Sequence, residues 1–245
     1  MDIARWFTGH NTISPRVLSI GGRLGYHDAG DTPNSQTVIH DYPDAPIIFE
    51  TRGLPKAKEF QTPVDSKSKR FWDRNMDHYR GSKIGVIVQC ENGYLVVPSY
   101  ASANAFDNDD QLLKEWKGGG DHYANFLDAI TANDQTKLNG PIEEGHLSSA
   151  LCHTGGMSHQ LGERVALSDI ESAMGGERQI FLDSFERLKK HLLANGVDVE
   201  SGTELTLGAE LKFDADSEQV LDNEKASQMM SRKYRKGYEV PEVKV

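Results

Sequence analysis

The spacing of apolar residues along this chain changes character once, at Gly118-Gly119-Gly120. Before these glycines, short apolar runs are bounded by Gly, Pro, Asn and Asp, the pattern of strands and tight turns. After them, apolar residues recur at i, i+3 and i+4, the pattern of helices. Val17 to Tyr26 is read as a strand entered after Pro15, and "AGDTPNSQ" at Ala29 to Gln36 as a loop. Gln36 to Asp41 and Ile47 to Arg52 flank "YPDAP", which predicts adjacent antiparallel strands. Ile84 to Gln89 and Tyr94 to Val97 predict a hairpin around "ENG", with Asn92-Gly93 supplying positive φ angles. "DNDD" at Asp107 to Asp110 is a further turn, and "QLLKEWK" after it suits strand or helix. Its strand neighbours favour strand. Lys56 to Arg80 is a polar excursion with Phe60, Phe71, Trp72 and Tyr79 as anchors and room for a short helix.

Past the glycines, Asp121 is placed to cap a helix whose buried side carries Ala124, Phe126, Leu127 and Ile130. Pro141 suits the first turn of a second helix, Ile142 to Leu161. "SFERLKKHLLAN", Ser184 to Asn195, is a third, stopped at Gly196, and a short strand follows near Leu205 to Phe213. At the start, Ile3, Trp6 and Phe7 line one face of a helix of two turns, about 10 Å long, with Gly9 as its C-terminal glycine. A helix so short holds only by packing. Strands first and helices later predict an α+β fold, an open, mainly antiparallel sheet of about five to seven strands with helices on one face.

Composition narrows what such a fold does. The 245 residues are 37% hydrophobic and 26% charged, ordinary for a globular chain. A formal net charge of −10 argues against a nucleic-acid partner, which needs concentrated Lys and Arg. The basic clusters Lys67 to Arg70 and Arg232 to Lys236 read as solvated loop and tail. No apolar run approaches the ~18 residues of a membrane span. Cys90 and Cys152 cannot form a disulfide framework or a zinc site alone, and their apolar neighbours predict buried free thiols.

Neither G-x-G-x-x-G nor G-x-x-x-x-G-K-S/T occurs, so the usual nucleotide-phosphate turns are missing from the sequence. The richest stretch is "IEEGHLSSALCHTGGMSHQLG". Glu143, His146 and His153 fall within one broad helical face, where they form a solvated polar stripe, contacts to a polar substrate, or metal ligands. Gly155-Gly156 within the same helix costs about 1 kcal/mol per residue relative to alanine, which a close approach of another backbone or a kink explains. Asn34 and Gln36 suit either a sugar-like ligand or a capped turn. Asp2 and Arg5, one short turn apart, suit a surface ion pair.

Five blocks in order, "MDIARWFTG", "GGRLGYHDAGDTPNSQ", "DAPIIFETRGLP", "GGGDHYANFLDAI" and "PIEEGHLSSALCHTGGMSHQLG", resemble the C-terminal portion of the glucose–fructose oxidoreductase / inositol dehydrogenase / rhizopine-catabolism (Gfo/Idh/MocA) family. The ending "SRKYRKGYEVP" resembles the tail of one bacterial branch. The resemblance implies that residues 1–245 are one C-terminal domain, like that of glyceraldehyde-3-phosphate dehydrogenase, that binds substrate and pairs subunits through its open sheet face. It implies a sugar or polyol substrate, hydride transfer to NAD or NADP, and a cofactor domain of Rossmann type preceding this part.

Asp2 matches the aspartate of the family's His-x-x-Asp motif, whose histidine would fall two residues before Met1. The family's catalytic lysine, histidine and upstream aspartate have no match within these residues, so no catalytic or cofactor-binding residue is assigned. Asp2, Arg5, His146 and His153 are the substrate-binding candidates, and no metal is expected. A free-standing carbohydrate-binding or interaction module is the alternative from another class, and a redox-neutral glycosidase a third. Some relatives carry export signals, so the resemblance leaves cytoplasm and periplasm both open.

Overall fold

The computed structural model describes residues 1–61 and 74–241. Its central strand is β1 (Arg16–Gly22), which pairs antiparallel with β2 (Ser35–His40) from Val17 opposite His40 to Gly22 opposite Ser35. β2 pairs in turn with β3 (Ile47–Arg52), as the proline-bounded turn between them predicts. On its other side β1 pairs with both β9 (Leu205–Leu207) and β10 (Leu211–Phe213). β8 (Glu163–Val165) adds to β9 and β11 (Val220–Leu221) to β10, completing seven strands. The single strand expected over Leu205 to Phe213 is thus two. It breaks at Gly208, whose N–H donates to the Ser19 carbonyl (2.7 Å) and where a Cβ would strike Ser158 Oγ.

Successive strand residues point to opposite faces. Val17, Ser19, Val38 and His40 therefore share one face, and Leu18, Ile20, Thr37 and Ile39 the other. Helix α3 (Ile142–Gln160) covers the first, where Leu147 and Met157 join Ile13, Val17, Val38, Leu211 and Phe213 in one core. Helix α5 (Gln179–Ala194) covers the second, packing Phe181, Phe185, Leu188 and Leu192 on Leu18, Ile20, Ile39 and Leu54. Helix α4 (Leu167–Ala173), not foreseen in the sequence, adds Ile170 to that core. The sheet has helices on both faces, so the expected open face for pairing subunits is absent from it. All six residues of β2 are buried.

The remaining strands form a separate four-stranded antiparallel meander, β4 (Val86–Cys90), β5 (Gly93–Ser99), β6 (Ser102–Phe106) and β7 (Leu112–Lys117). The expectation of one sheet is corrected to two. Alternation reveals a strand's two faces but not which sheet it joins, and short loops here favour pairing with the next strand in sequence. "QLLKEWK" is a strand. The β4–β5 turn is the expected hairpin, but positive φ falls on Gly93 alone (151°), where a Cβ would strike the Phe106 carbonyl. Helix α1 (Asp2–Thr8) packs against both β4 and α3.

Helix α2 (His122–Ala132) is capped as foreseen, Asp121 accepting from the N–H groups of Tyr123 and Ala124 (both 3.0 Å). Its expected buried side is corrected: Phe126, Leu127 and Ile130 are all more than half exposed, and Ala129 alone is buried. The helix packs on the short turn Gln135–Lys137. Cys90 and Cys152 are also exposed rather than buried. One lies at a hairpin end and the other on the outer side of α3. The short helix expected in the polar excursion is Lys58–Phe60, whereas Phe71, Trp72 and the basic cluster 67–70 lie outside the described residues. The chain's last described helix is α6 (Glu224–Met229), capped by Asn223. No helix among the described residues is long and apolar enough to cross a membrane.

The two glycines inside α3 differ in kind. A Cβ on Gly155 would lie 2.8 Å from Val38 Cγ1 and 3.3 Å from its Cγ2, whereas one on Gly156 meets nothing within 4 Å. Val38 is β-branched and stiff, so it cannot yield as a flexible chain would. Gly155→Ala should destabilise by about 1–2 kcal/mol, overpacking of ~1–3 outweighing ~1 of helix propensity. Gly156→Ala should instead stabilise by up to about 1 kcal/mol. Urea unfolding of the two variants checks this, with opposite signs expected.

His40, on the face covered by α3, is buried with its Nδ1 unpartnered, and burial pushes its pKa down to about 3. Between the unfolded value of ~6.5 and that folded value, the unfolded chain binds the extra proton, so stability rises with pH across this window. The contribution is fully present above about pH 6.5 and is lost as pH falls. From pH 7 to pH 5 the loss due to His40 is about 2 kcal/mol. Replacing it by Leu should flatten the pH dependence of the urea midpoint over that range.

Candidate functional site

Two of the candidate residues, Asp2 and Arg5, lie where α1 meets α3. Gly9 ends α1 in the left-handed conformation (φ 73°), its N–H returning to the Arg5 carbonyl (2.9 Å). Seven residues cannot sustain a helix alone, and Arg5 supplies the anchor. Its side chain is 1% exposed, donating from Nη1 to the His10 carbonyl (2.7 Å) and from Nη2 to the Glu144 carboxylate, with Nε 3.5 Å from Ser148 Oγ. Trp6 Nε1 donates to the same carboxylate (2.8 Å). The Trp6 hydrogen bond, and after it Arg5, hold Glu144 below the usual carboxylate range, while the Asp2 charge opposes them. That opposition places Asp2 within electrostatic reach of the joint.

Around this joint the packing is aromatic and apolar. The His10 ring stacks on Tyr42 (centroids 3.7 Å apart) and its Nε2 lies 2.7 Å from the Ala45 carbonyl. Burial pushes the Tyr42 hydroxyl up to about 12, and it donates to the Thr12 carbonyl (2.9 Å). Met1 and Ala4 close over Tyr42, Ile47 and Leu151. Asp2 remains exposed, with its carboxylate 4.0 Å from the Met1 amino group. The surface pair expected between Asp2 and Arg5 is replaced by Arg5–Glu144.

Arg5 is thereby corrected as a substrate-binding candidate: buried and engaged by protein acceptors, it fastens α1 to α3. His146 and His153 share the outer face of α3 with Glu143, about 10 Å apart along the axis. His146 Nε2 meets the Glu218 carboxylate (2.8 and 2.9 Å), and His153 is exposed. Asn34 resolves as a loop cap, accepting from Leu24 N–H (3.0 Å) and donating to its carbonyl (2.9 Å). Gln36 is buried against Ser19 Oγ (2.6 Å). No group of three His, Cys, Asp or Glu side chains among the described residues is placed to hold a metal.

Two features escaped the sequence. Glu144 is one position from Glu143, and only its i+4 neighbour Ser148, turned toward α1, marks its side of the helix. The other is a polar lock on the α5 face. Burial opposes the charge of Asp77, yet the His191 hydrogen bond (3.1 Å) and Arg52 (2.9 Å) hold it at about 2. Nearby, Glu50 accepts from Arg187 and from Ser184 (3.0 Å). This network fastens the segment after residue 74 to α5 and leaves His191 Nε2 buried without a partner. Two shallow hollows, beside the Cys90–Tyr94 hairpin and between α2 and Leu138, touch none of the candidate residues.

Comparison with protein-family models, curated proteins and solved structures gives no match to this chain. The geometry offers an exposed carboxylate, Asp2, on a helix fastened from beneath and, separately, imidazoles on the outer face of α3. Such groups accept and donate hydrogen bonds to a polyhydroxylated ligand. Arg5→Ala should lower the thermal midpoint by more than ~5 °C and speed hydrogen exchange across residues 2–8. Asp2→Asn should leave both unchanged, which differential scanning calorimetry and exchange mass spectrometry check together.

Proposed function

We propose that this chain is the substrate-binding part of an NAD(P)-dependent oxidoreductase of the Gfo/Idh/MocA kind, acting on a sugar or polyol. One observation carries the proposal: the first and the last of the blocks that resemble that family interlock. "MDIARWFTG" meets "PIEEGHLSS" through Arg5 and Trp6 on Glu144. "MSHQLG" meets the first strand through Ser158, whose hydroxyl accepts from Ser19 N–H (3.0 Å) and donates to the Ala209 carbonyl (2.7 Å).

A dinucleotide does not fit the described residues. Its pyrophosphate needs a glycine-rich turn between a parallel strand and a helix, and every strand pair here is antiparallel. NAD or NADP would be held by residues outside these 245, and no redox step runs through this part. What remains to these residues is to bind and orient substrate. Asp2 accepts a substrate hydroxyl and fixes its direction.

The test is a longer product of the same reading frame, assayed for sugar- or polyol-dependent reduction of NAD and NADP. An in-frame Rossmann domain with histidine two residues before Met1 is expected. Hydrogen bonds to charged groups contribute ~1.5–3 kcal/mol, so Asp2→Asn in that product should lower kcat/KM roughly ten- to a hundredfold, and His146→Ala less. Calorimetric titration of these 245 residues alone should show no dinucleotide binding tighter than ~10 µM. Tight binding, or turnover indifferent to the Asp2 change, overturns the proposal.

A further inference from the structure

Strand β7 ends the four-stranded sheet with all six residues exposed, whereas α1 packs against β4 at the opposite edge. A bare edge presents outward N–H and C=O groups to any strand that can align with it. Gly118 fixes which groups those are. Its N–H donates to the Ala101 carbonyl (2.9 Å) on the inner side, toward β6. Backbone direction alternates along an antiparallel ladder, so the groups of Trp116 also turn inward and those of Glu115 and Lys117 turn outward.

We infer that β7 pairs antiparallel with β7 of a second copy, about a two-fold axis passing between their Trp116 residues. Two-fold symmetry permits few registers, because one residue must oppose its own copy. Centring the axis on Lys114, Glu115 or Lys117 sets like charges directly opposite, which destabilises a cross-strand pair. Leu113 lies at the irregularity where Leu112 opposes Phe106 and Lys114 opposes Ala105, so the ladder is broken there. Centring on Trp116 sets Glu115 opposite Lys117 of the second copy and Lys117 opposite Glu115 on one face, with the two indoles side by side on the other.

The side chains already stand where this register needs them. Glu115 and Lys117 share one face, 3.9 Å apart and each at least half exposed, and Lys114 lies over the Trp116 ring (4.8 Å) on the other face. The outward backbone groups of Glu115 and Lys117 fall at the hydrogen-bonded positions of the new ladder, and the copies join into one eight-stranded sheet. A six-residue strand is about 20 Å long, so the contact is at the small end of specific interfaces. This inference is independent of the proposed oxidoreductase role.

Sedimentation velocity of the 245-residue chain between about 1 and 100 µM tests it, with circular dichroism confirming that each variant is folded. A monomer–dimer equilibrium is expected. Glu115→Lys and Lys117→Glu should each weaken it at least tenfold, since each places like charges opposite at two symmetric positions. The double reversal, Glu115→Lys with Lys117→Glu, should restore it. Glu115→Lys reduces the net charge of −10, so weakening by that change cannot be general repulsion. A monomer across the whole range, a dimer indifferent to the single reversals, or a double reversal as weak as the singles would each overturn the inference.

Discussion

Because β2 is buried on both faces, each helix that covers it must match a different set of side chains. On one face Val38 leaves so little space that α3 approaches only where it has no Cβ, at Gly155. On the other, Thr37 and the neighbouring Glu50 are polar, and α5 answers with Ser184 and Arg187. The first contact is set by shape and the second by hydrogen bonding. Together they fix both helices against one strand, and the remaining parts are positioned from these two. α3 carries Glu144 to α1, and α5 carries His191 to the segment after residue 74.

A two-faced sheet leaves polar groups in the interior, and several are used as ties. Ser158 bridges the N–H of Ser19 and the carbonyl of Ala209, so one hydroxyl joins α3 to β1 and to the chain between β9 and β10. Arg16 gathers Asp41, Glu177 and Glu210 from three separate parts of the chain. Isolated surface ion pairs contribute little. Here the pairs converge on single guanidinium groups held at the ends of strands, where they specify the arrangement more than they strengthen it. His40 Nδ1 is an exception, as are Ser35 Oγ, His159 Nδ1 and His191 Nε2, each buried without a partner, and burial keeps His40 neutral.

Much of this was legible in the sequence, and what failed did so for identifiable reasons. Turn chemistry marked the β2–β3 and β4–β5 connections, and Asp121, Pro141 and Gly196 marked helix ends, because caps and turns depend on neighbouring residues alone. The division into two sheets was not legible, since alternation carries no record of which strand lies alongside. Nor was the exposure of Phe126, Leu127 and Ile130, whose spacing is that of any buried stripe. Gly155-Gly156 announced a close approach but not that Gly155 alone makes it. At the candidate site the sequence placed His146 and His153 on one face correctly. It misplaced Arg5, because a charged residue one turn from an aspartate looks like a surface pair until another helix is known to lie above it.

The burial of Arg5 also explains why Asp2 can be exposed and yet held in position. An isolated seven-residue helix frays, and a carboxylate on it would occupy many positions, each ordered only at an entropic cost on binding. Arg5 removes that freedom from below, through acceptors on Glu144 and on His10 beyond the helix end. Trp6 adds a second bond to the same Glu144 carboxylate, so α1 cannot roll about its axis without losing one of the two. The negative charge of Glu144 is consumed by these donors, which leaves Asp2 as the carboxylate of this joint that faces solvent. The same buried arginine that cannot touch a ligand is what gives a solvent-facing carboxylate a fixed direction.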